Sequence, residues 1–318
     1  MPKILHSDPL NNKKGFYYRF YIYQKERFPF LGHGILISVF SFSAISFARL
    51  SAGKSGFIPL ERYIGVAIMC FLLFLLLRIA DEFKDEEDDI KYRAHLPVPR
   101  GLIRLSELKA LAIATLLIQL LLQLWLFPKM IGLYLVVLIY LALMSKEFFI
   151  PEWLKKQPIA YVGSHMLIIP LVDIYASGAD WFLEGTGAPF GLIYFFGVSF
   201  LNGVVLEIGR KIRIPEEESE GVKTYSSMLG AKKATVLWMA FLGLTLMVSL
   251  LAYQTVDSSQ IGKTILYSAF GLCALPALFF LFQSKKIWAK GIEITSALWT
   301  LIMYLTLGAM PMIKAQWF

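Results

Sequence analysis

Two cysteines, four histidines and a charged fraction of only 17% are what this 318-residue chain has little of. A soluble domain carries about 25% charged residues. Cys70 and Cys273 both lie inside apolar runs, so neither a disulfide framework nor a thiolate metal site is expected. No secretory leader is expected either, because Met1–Phe28 is basic, polar and aromatic without an apolar core segment. Low-complexity tracts and a second, soluble domain are also lacking. What fills the chain is apolar: 57% hydrophobic residues and a mean hydropathy of +0.61. That content and the long uncharged runs place it in the membrane class. The net charge of +8 then reads as lysine and arginine held at a cytoplasmic face, not as a nucleic-acid footprint.

A spanning helix needs about 20 largely apolar residues. By that rule nine spans are expected, at 30–50, 60–80, 108–127, 130–146, 158–176, 190–209, 234–253, 262–283 and 294–313. The fold expected is therefore all-α and polytopic. A segment 1–29 precedes a single transmembrane domain, 30–318, with polar loops at 81–107 and 207–233. Placing the N-terminus in the cytoplasm gives one side most of the basic residues. These are Lys13 to Arg27, Lys84 to Lys109, Lys146, Lys155, Lys156, Arg210 to Lys233, and Lys285 to Lys290. The other side keeps little beyond Arg49, Lys54, Arg62, Lys129, Lys263 and Lys314. This asymmetry is what the positive-inside rule describes, and an odd number of spans puts the C-terminus outside. Pro128 is expected to end the third span, and Ser177–Gly191, without lysine or arginine, to form an outer loop.

The most unusual stretch is RIADEFKDEEDDIKYRAHLPVPRG, residues 78–101. An apolar run from Ile64 to Leu77 leads into seven acidic residues between Asp81 and Asp89, and a Pro-Val-Pro-Arg-Gly turn follows. On a continuing helix Asp81, Asp85 and Asp89 fall at i, i+4 and i+8, a stripe roughly 12 Å long. Like charges so spaced weaken a bare helix, so the stripe calls for a cation. Magnesium typically takes one or two carboxylates and completes its shell with water and phosphate oxygens. The bland alternative is a solvated helix end whose acids pair with Lys84, Lys91 and Arg93.

The second polar loop begins NGVVLEIGRKIRIPEEE at Asn202. Glu207, Arg210 and Lys211 share a helical face at the end of a span, where charge is costly and usually partnered. Pro215 followed by Glu216, Glu217 and Glu218 is equally the signature of a helix start.

These residues resemble the UbiA superfamily of intramembrane prenyltransferases. Its first motif, N-x-x-x-D-x-x-x-D followed by a Pro-containing turn and Gly, reads here Asp81, Asp85, Asp89, Pro97, Pro99, Arg100 and Gly101. Nine helices with both polar loops on the cytoplasmic side also fit a UbiA-like bundle. The resemblance implies Mg²⁺ held by Asp81, Asp85, Asp89 and Glu207, and a prenyl diphosphate gripped by Lys146, Arg210 and Lys211. It also implies a lipophilic or aromatic acceptor in a pocket lined by Asn202, His165 or Asp173, and an enzyme embedded among lipids of a bacterial inner membrane, with no nucleic-acid partner. This chain departs from the pattern in two places. Asp81 replaces the family's Asn, and Glu207-Ile-Gly-Arg-Lys replaces the second D-x-x-x-D, so that Glu217 or Glu218 is needed to supply a second carboxylate, or Arg210 and Lys211 meet the diphosphate directly. Two rival expectations are a UbiA-type terpene cyclase that needs no acceptor and a cation-coupled transporter.

Overall fold

The computed structural model describes residues 14–219 and 221–317. Of the expected segment 1–29, residues 1–13 lie outside the described residues, as does Glu220 of the second polar loop. Among the described residues nine helices are long and apolar enough to cross a membrane. They are Phe30–Ser51, Leu60–Lys84, Leu105–Leu126, Pro128–Ser145, Pro158–Trp181, Leu192–Gly209, Ala231–Gln254, Gln260–Phe282 and Lys286–Gln316. A short helix, Phe16–Arg27, precedes them.

The boundaries follow local chemistry. Pro128 opens a 3₁₀ turn, Pro128–Met130, at the position where a missing N–H costs nothing. The third span starts at Leu105, earlier than expected, because Glu107 turns back to accept from the Arg104 backbone N–H at 2.9 Å. The same carboxylate pairs with Arg19 at 2.5 Å and so ties the Phe16–Arg27 helix to this span. Ser177–Trp181, expected in an outer loop, instead completes the fifth span. Buried Asp180 there accepts from Arg49 at 2.7 Å, which lets a charged helix end stay packed.

Lipid gives helices no hydrophobic reason to associate, so close approach and buried hydrogen bonds hold the bundle. Gly308 faces Ser43 so closely that a Cβ would come within 2.4 Å of the Ser43 backbone. The ninth span has a π-helical turn there, Leu305–Ala309, and Ser43 Oγ donates to the Tyr304 carbonyl just before it at 2.7 Å. Gln119 donates to the Met69 carbonyl at 3.2 Å, while Tyr175 donates to Gln123 at 2.7 Å, linking spans two, three and five. The perimeter is apolar, with Trp125 78% and Leu272 65% exposed, as a lipid-facing surface requires.

Charges gather in two layers. One end of the bundle joins Arg49 and Lys54 to Asp180 and Glu184, and Lys314 to Asp257. At the other end lie the loops after the even-numbered spans and the Phe16–Arg27 helix, with Arg100–Glu26 at 2.8 Å and Lys286–Glu217 at 2.6 Å. Both polar loops open at this second end.

Candidate active site

The acidic stretch is not one continuous helix. The second span ends at Lys84, Asp85 caps it with φ −94° and ψ 6°, and a new helix runs Glu86–Tyr92. Backbone bonds bridge the break, from the N–H of Asp85 to the Asp81 carbonyl and from Asp89 to Asp85, at 2.9 and 2.8 Å. The bend divides the acids. Asp81, Asp85 and Asp88 face cavities. Asp89 is buried and accepts from Arg93 at 2.9 Å, with Arg27 at 3.9 Å. Glu82 is also buried, held by Arg27 at 2.6 Å and Arg78 at 3.0 Å.

Two adjoining cavities occupy this end. The larger, about 1180 Å³, has Asp85, Lys146, Glu147, Tyr161, Glu207 and Lys211 at its polar end and Leu76, Leu116, Leu138 and Leu141 along its apolar wall. The smaller, about 530 Å³, is lined by Asp81, Asp85, Arg78, Arg93, His165, Glu207, Arg210 and Lys211. Lys84, Asp85, Tyr161, Glu207 and Lys211 belong to both. The sixth span delivers Glu207 to this junction, where it pairs with Arg210 and, at 2.5 Å, with Lys211. Gly221 brings the second polar loop against the first: its φ is +76°, and a Cβ would sit 2.0 Å from the Tyr92 ring.

The structure thus brings together Asp81, Asp85, Glu207, Lys146, Arg210 and Lys211 around one pair of cavities. It does not bring Asp89 or Asn202 to their walls. Asn202 is buried five residues before Glu207, about 7 Å deeper along the span. Glu217 and Glu218 also lie outside both linings, the first paired with Lys286 and the second accepting from Thr224 at 2.6 Å. Sequence reasoning missed Arg78, Glu147 and Tyr161, and it named Lys84 only as a partner of the acids, which it is, at 3.8–4.0 Å from Asp81 and Asp85. Arg78 was visible as a charge inside an apolar run, three and four residues before Asp81 and Glu82. Glu147 carried no signal: it opens a run of three left-handed residues, Glu147, Phe148 and Phe149, with φ of 50°, 53° and 61°, a conformation uncommon outside glycine.

The donor set can be set against Mg²⁺. Among the described residues no three His, Cys, Asp or Glu side chains are grouped as a ready metal cage, so the four-carboxylate set is not assembled. Asp89 is committed to Arg93, and Glu207 to two cations. Asp81 and Asp85 differ. Their ion pairs with Arg78 and Lys84 are long, 3.7–4.0 Å, which leaves oxygens turned to the cavity. Two carboxylates with room for phosphate oxygens suit a metal that keeps most of its shell for water and substrate. Burial pushes the Asp89 and Glu147 carboxyls up from the usual range, opposed by Arg93 in the first case and Lys84 in the second.

Comparison with known proteins bears on the fold and the family. Digeranylgeranylglyceryl phosphate synthase has a similar structure, with a TM-score of 0.62 at 17% identity, covering 93% of this chain and 99% of that one. A UbiA homologue from Archaeoglobus fulgidus, solved bound to GPP and Mg²⁺, gives 0.51 at 14% identity, covering 86% of this chain and 96% of the homologue. The same homologue bound to DMAPP and Mg²⁺ gives 0.51 at 14% identity over 87% and 98%. These likenesses speak to the fold alone. A search of functionally curated proteins finds no match. The sequence profile of the UbiA prenyltransferase family matches residues 39–307, which take in all but the ends of the bundle, and the chain belongs to that family.

Proposed function

We propose that this enzyme transfers a prenyl group from a prenyl diphosphate to a lipophilic or aromatic acceptor within the membrane. The observation that carries the reading is the junction of the two cavities: acids and cations converge at one end, and an apolar wall from the second, third and fourth spans runs away from it. A diphosphate belongs at the charged end and an isoprenoid tail along the wall. The A. fulgidus homologue, bound to GPP or DMAPP with Mg²⁺, supports the pairing.

Asp81 and Asp85 would hold Mg²⁺, which when bound would neutralise charge on the diphosphate oxygens and ease departure of the leaving group. Arg210 and Lys211, aligned by Glu207, and Lys146 across the larger cavity bind the phosphates as charge-assisted donors. Arg93 lines both cavities, so an incoming diphosphate competes with Asp89 for its guanidinium, and an Asp89 released in this way joins the acidic wall. Phe83 places an aromatic ring along the larger cavity, where its face stabilises an allylic cation. The even-loop face is assigned to the cytoplasm from its excess of lysine and arginine.

The acids that line the two cavities lie at span ends on one face, unlike the midplane sites of transporters. Product analysis tests the reading. Purified protein given Mg²⁺ and geranyl or geranylgeranyl diphosphate should form a prenylated product only when a membrane lipid extract or phenolic acceptor is added. A hydrocarbon or cyclic alcohol formed without any acceptor would instead establish internal cyclisation.

A further inference from the structure

Each completed prenyl transfer sheds one proton, from a hydroxyl or a ring carbon of the acceptor. Of the groups assigned above, Asp81 and Asp85 are reserved for the metal, Glu207 is held by two cations and Asp89 rests on Arg93. A second pair of groups at the cavity junction is unused. His165 Nδ1 lies 2.8 Å from the Tyr161 carbonyl oxygen. A carbonyl can only accept, so Nδ1 carries the hydrogen and the neutral ring keeps its lone pair on Nε2. That Nε2 is buried without a hydrogen-bond partner, and it faces Glu147 Oε2, also buried and unpartnered, at 3.8 Å. Two acceptors face each other, and the pair is one proton short of a hydrogen bond.

The arrangement is held on every side. The His165 ring stacks on Tyr161 at 4.0 Å and meets the edge of Phe148 at 6.1 Å. The left-handed run at Glu147, Phe148 and Phe149 turns the glutamate inward at a conformational cost of order 1–3 kcal/mol per residue. Lys84 stands 3.8 Å from Glu147 Oε1 and fixes the other oxygen. Asp85, Glu207, Lys155 and Tyr161 are further titratable groups that act on the pair. Glu147 lines the larger cavity beside Asp85 and Lys146, and His165 lines the smaller one behind it.

Resting on the prenyl-transfer reading, we propose that Glu147 is the general base of the reaction and His165 the positioning residue that shares its proton. The bond from the prenyl C1 to the diphosphate oxygen breaks, and its electron pair leaves with the diphosphate. The acceptor atom forms the new bond to C1 and gives its proton to Glu147, which shares it with His165 Nε2 before release to water. A general base is worth 10²–10⁴-fold in rate.

The test measures two products in the same reaction, with detergent-purified protein, radiolabelled geranylgeranyl diphosphate, Mg²⁺ and a membrane lipid extract as acceptor source. One is diphosphate released; the other is label recovered as prenylated lipid and not as prenyl alcohol. Glu147→Gln should lower prenylated lipid per diphosphate released by about a hundredfold, with prenyl alcohol rising in its place. His165→Gln should lower the same ratio by less, and the double variant should be no worse than Glu147→Gln, as for residues acting as a unit. A merely structural role would lower both products in proportion and leave the ratio unchanged, which overturns the proposal. A wild-type protein that releases no diphosphate overturns prenyl transfer itself, and one that releases it without prenylating lipid overturns acceptor transfer. Either result is distinct from an unchanged ratio in the variants.

Discussion

Glu82 makes a quantitative claim about how the site is held. Its side chain is 1% exposed, and the carboxylate accepts from Arg27 at 2.6 Å and Arg78 at 3.0 Å, with the Tyr23 hydroxyl at 3.5 Å. At an effective dielectric near 20 each ion pair is worth roughly 6 kcal/mol of Coulomb attraction. Desolvating three ions offsets most of that, so the intact cluster contributes little net stability. Removing its centre is another matter, because two arginines with only 14% and 18% side-chain exposure lose their main counter-charge. Breaking a buried pair costs about 3–5 kcal/mol. Arg78 retains Asp81 at 3.7 Å and Arg27 retains Asp89 at 3.9 Å, which puts the expected cost of Glu82→Gln near the lower end, about 3 kcal/mol. Thermal unfolding in detergent, followed by tryptophan fluorescence, should show a clear drop in midpoint. Arg27→Ala combined with Glu82→Ala should cost less than the sum of the two alone, by about 1–3 kcal/mol. An unchanged midpoint in Glu82→Gln, or strict additivity in the pair, would refute the cluster as the clamp between the Phe16–Arg27 helix and the second span.

Other outcomes follow from the same geometry. Gly221→Ala places a methyl where a Cβ would sit 2.0 Å from Tyr92, at a φ of +76°; it should separate the two polar loops and raise the KM for a prenyl diphosphate without moving the thermal midpoint as far as Glu82→Gln does. At the opposite end of the bundle, a hydrogen bond from Lys54 holds the Glu184 carboxyl below its usual range. A lowered folded-state value contributes stability that is present above the unfolded value of about 4.3 and lost as pH falls through the folded one. Thermal midpoints should therefore fall on acidification through that window, and the part due to this carboxyl should vanish in Glu184→Gln.

The spans were legible because each is an apolar run of about 20 residues, and all nine appear. The sequence showed that Asp81, Asp85 and Asp89 share a spacing, but not where their side chains go. Spacing predicts a common face only on an unbroken helix, and the break at Asp85 sends Asp89 to Arg93 while Asp81 and Asp85 keep the cavity. Glu207, Arg210 and Lys211 were readable from i, i+3 and i+4 spacing at a span end, and the structure pairs them. Asn202 lay on the same helix, but too deep to reach the linings. Glu147, in the turn after the fourth span, and His165, in the fifth, meet through a backbone conformation that no local residue preference announces. No pattern within one segment could have joined them.

If Asp81 and Asp85 form the metal-dependent end of a diphosphate site, release of diphosphate from a prenyl diphosphate depends on both Mg²⁺ and these carboxylates. Wild-type release should need Mg²⁺ and stop with chelator. Asp85→Asn should lower it by on the order of a hundredfold or more, the rate equivalent of several kcal/mol of lost charge stabilisation. Asp257→Asn, at the far end of the bundle beside Lys314, should not. Release from Asp85→Asn at the wild-type rate, with the same dependence on Mg²⁺, would contradict the account.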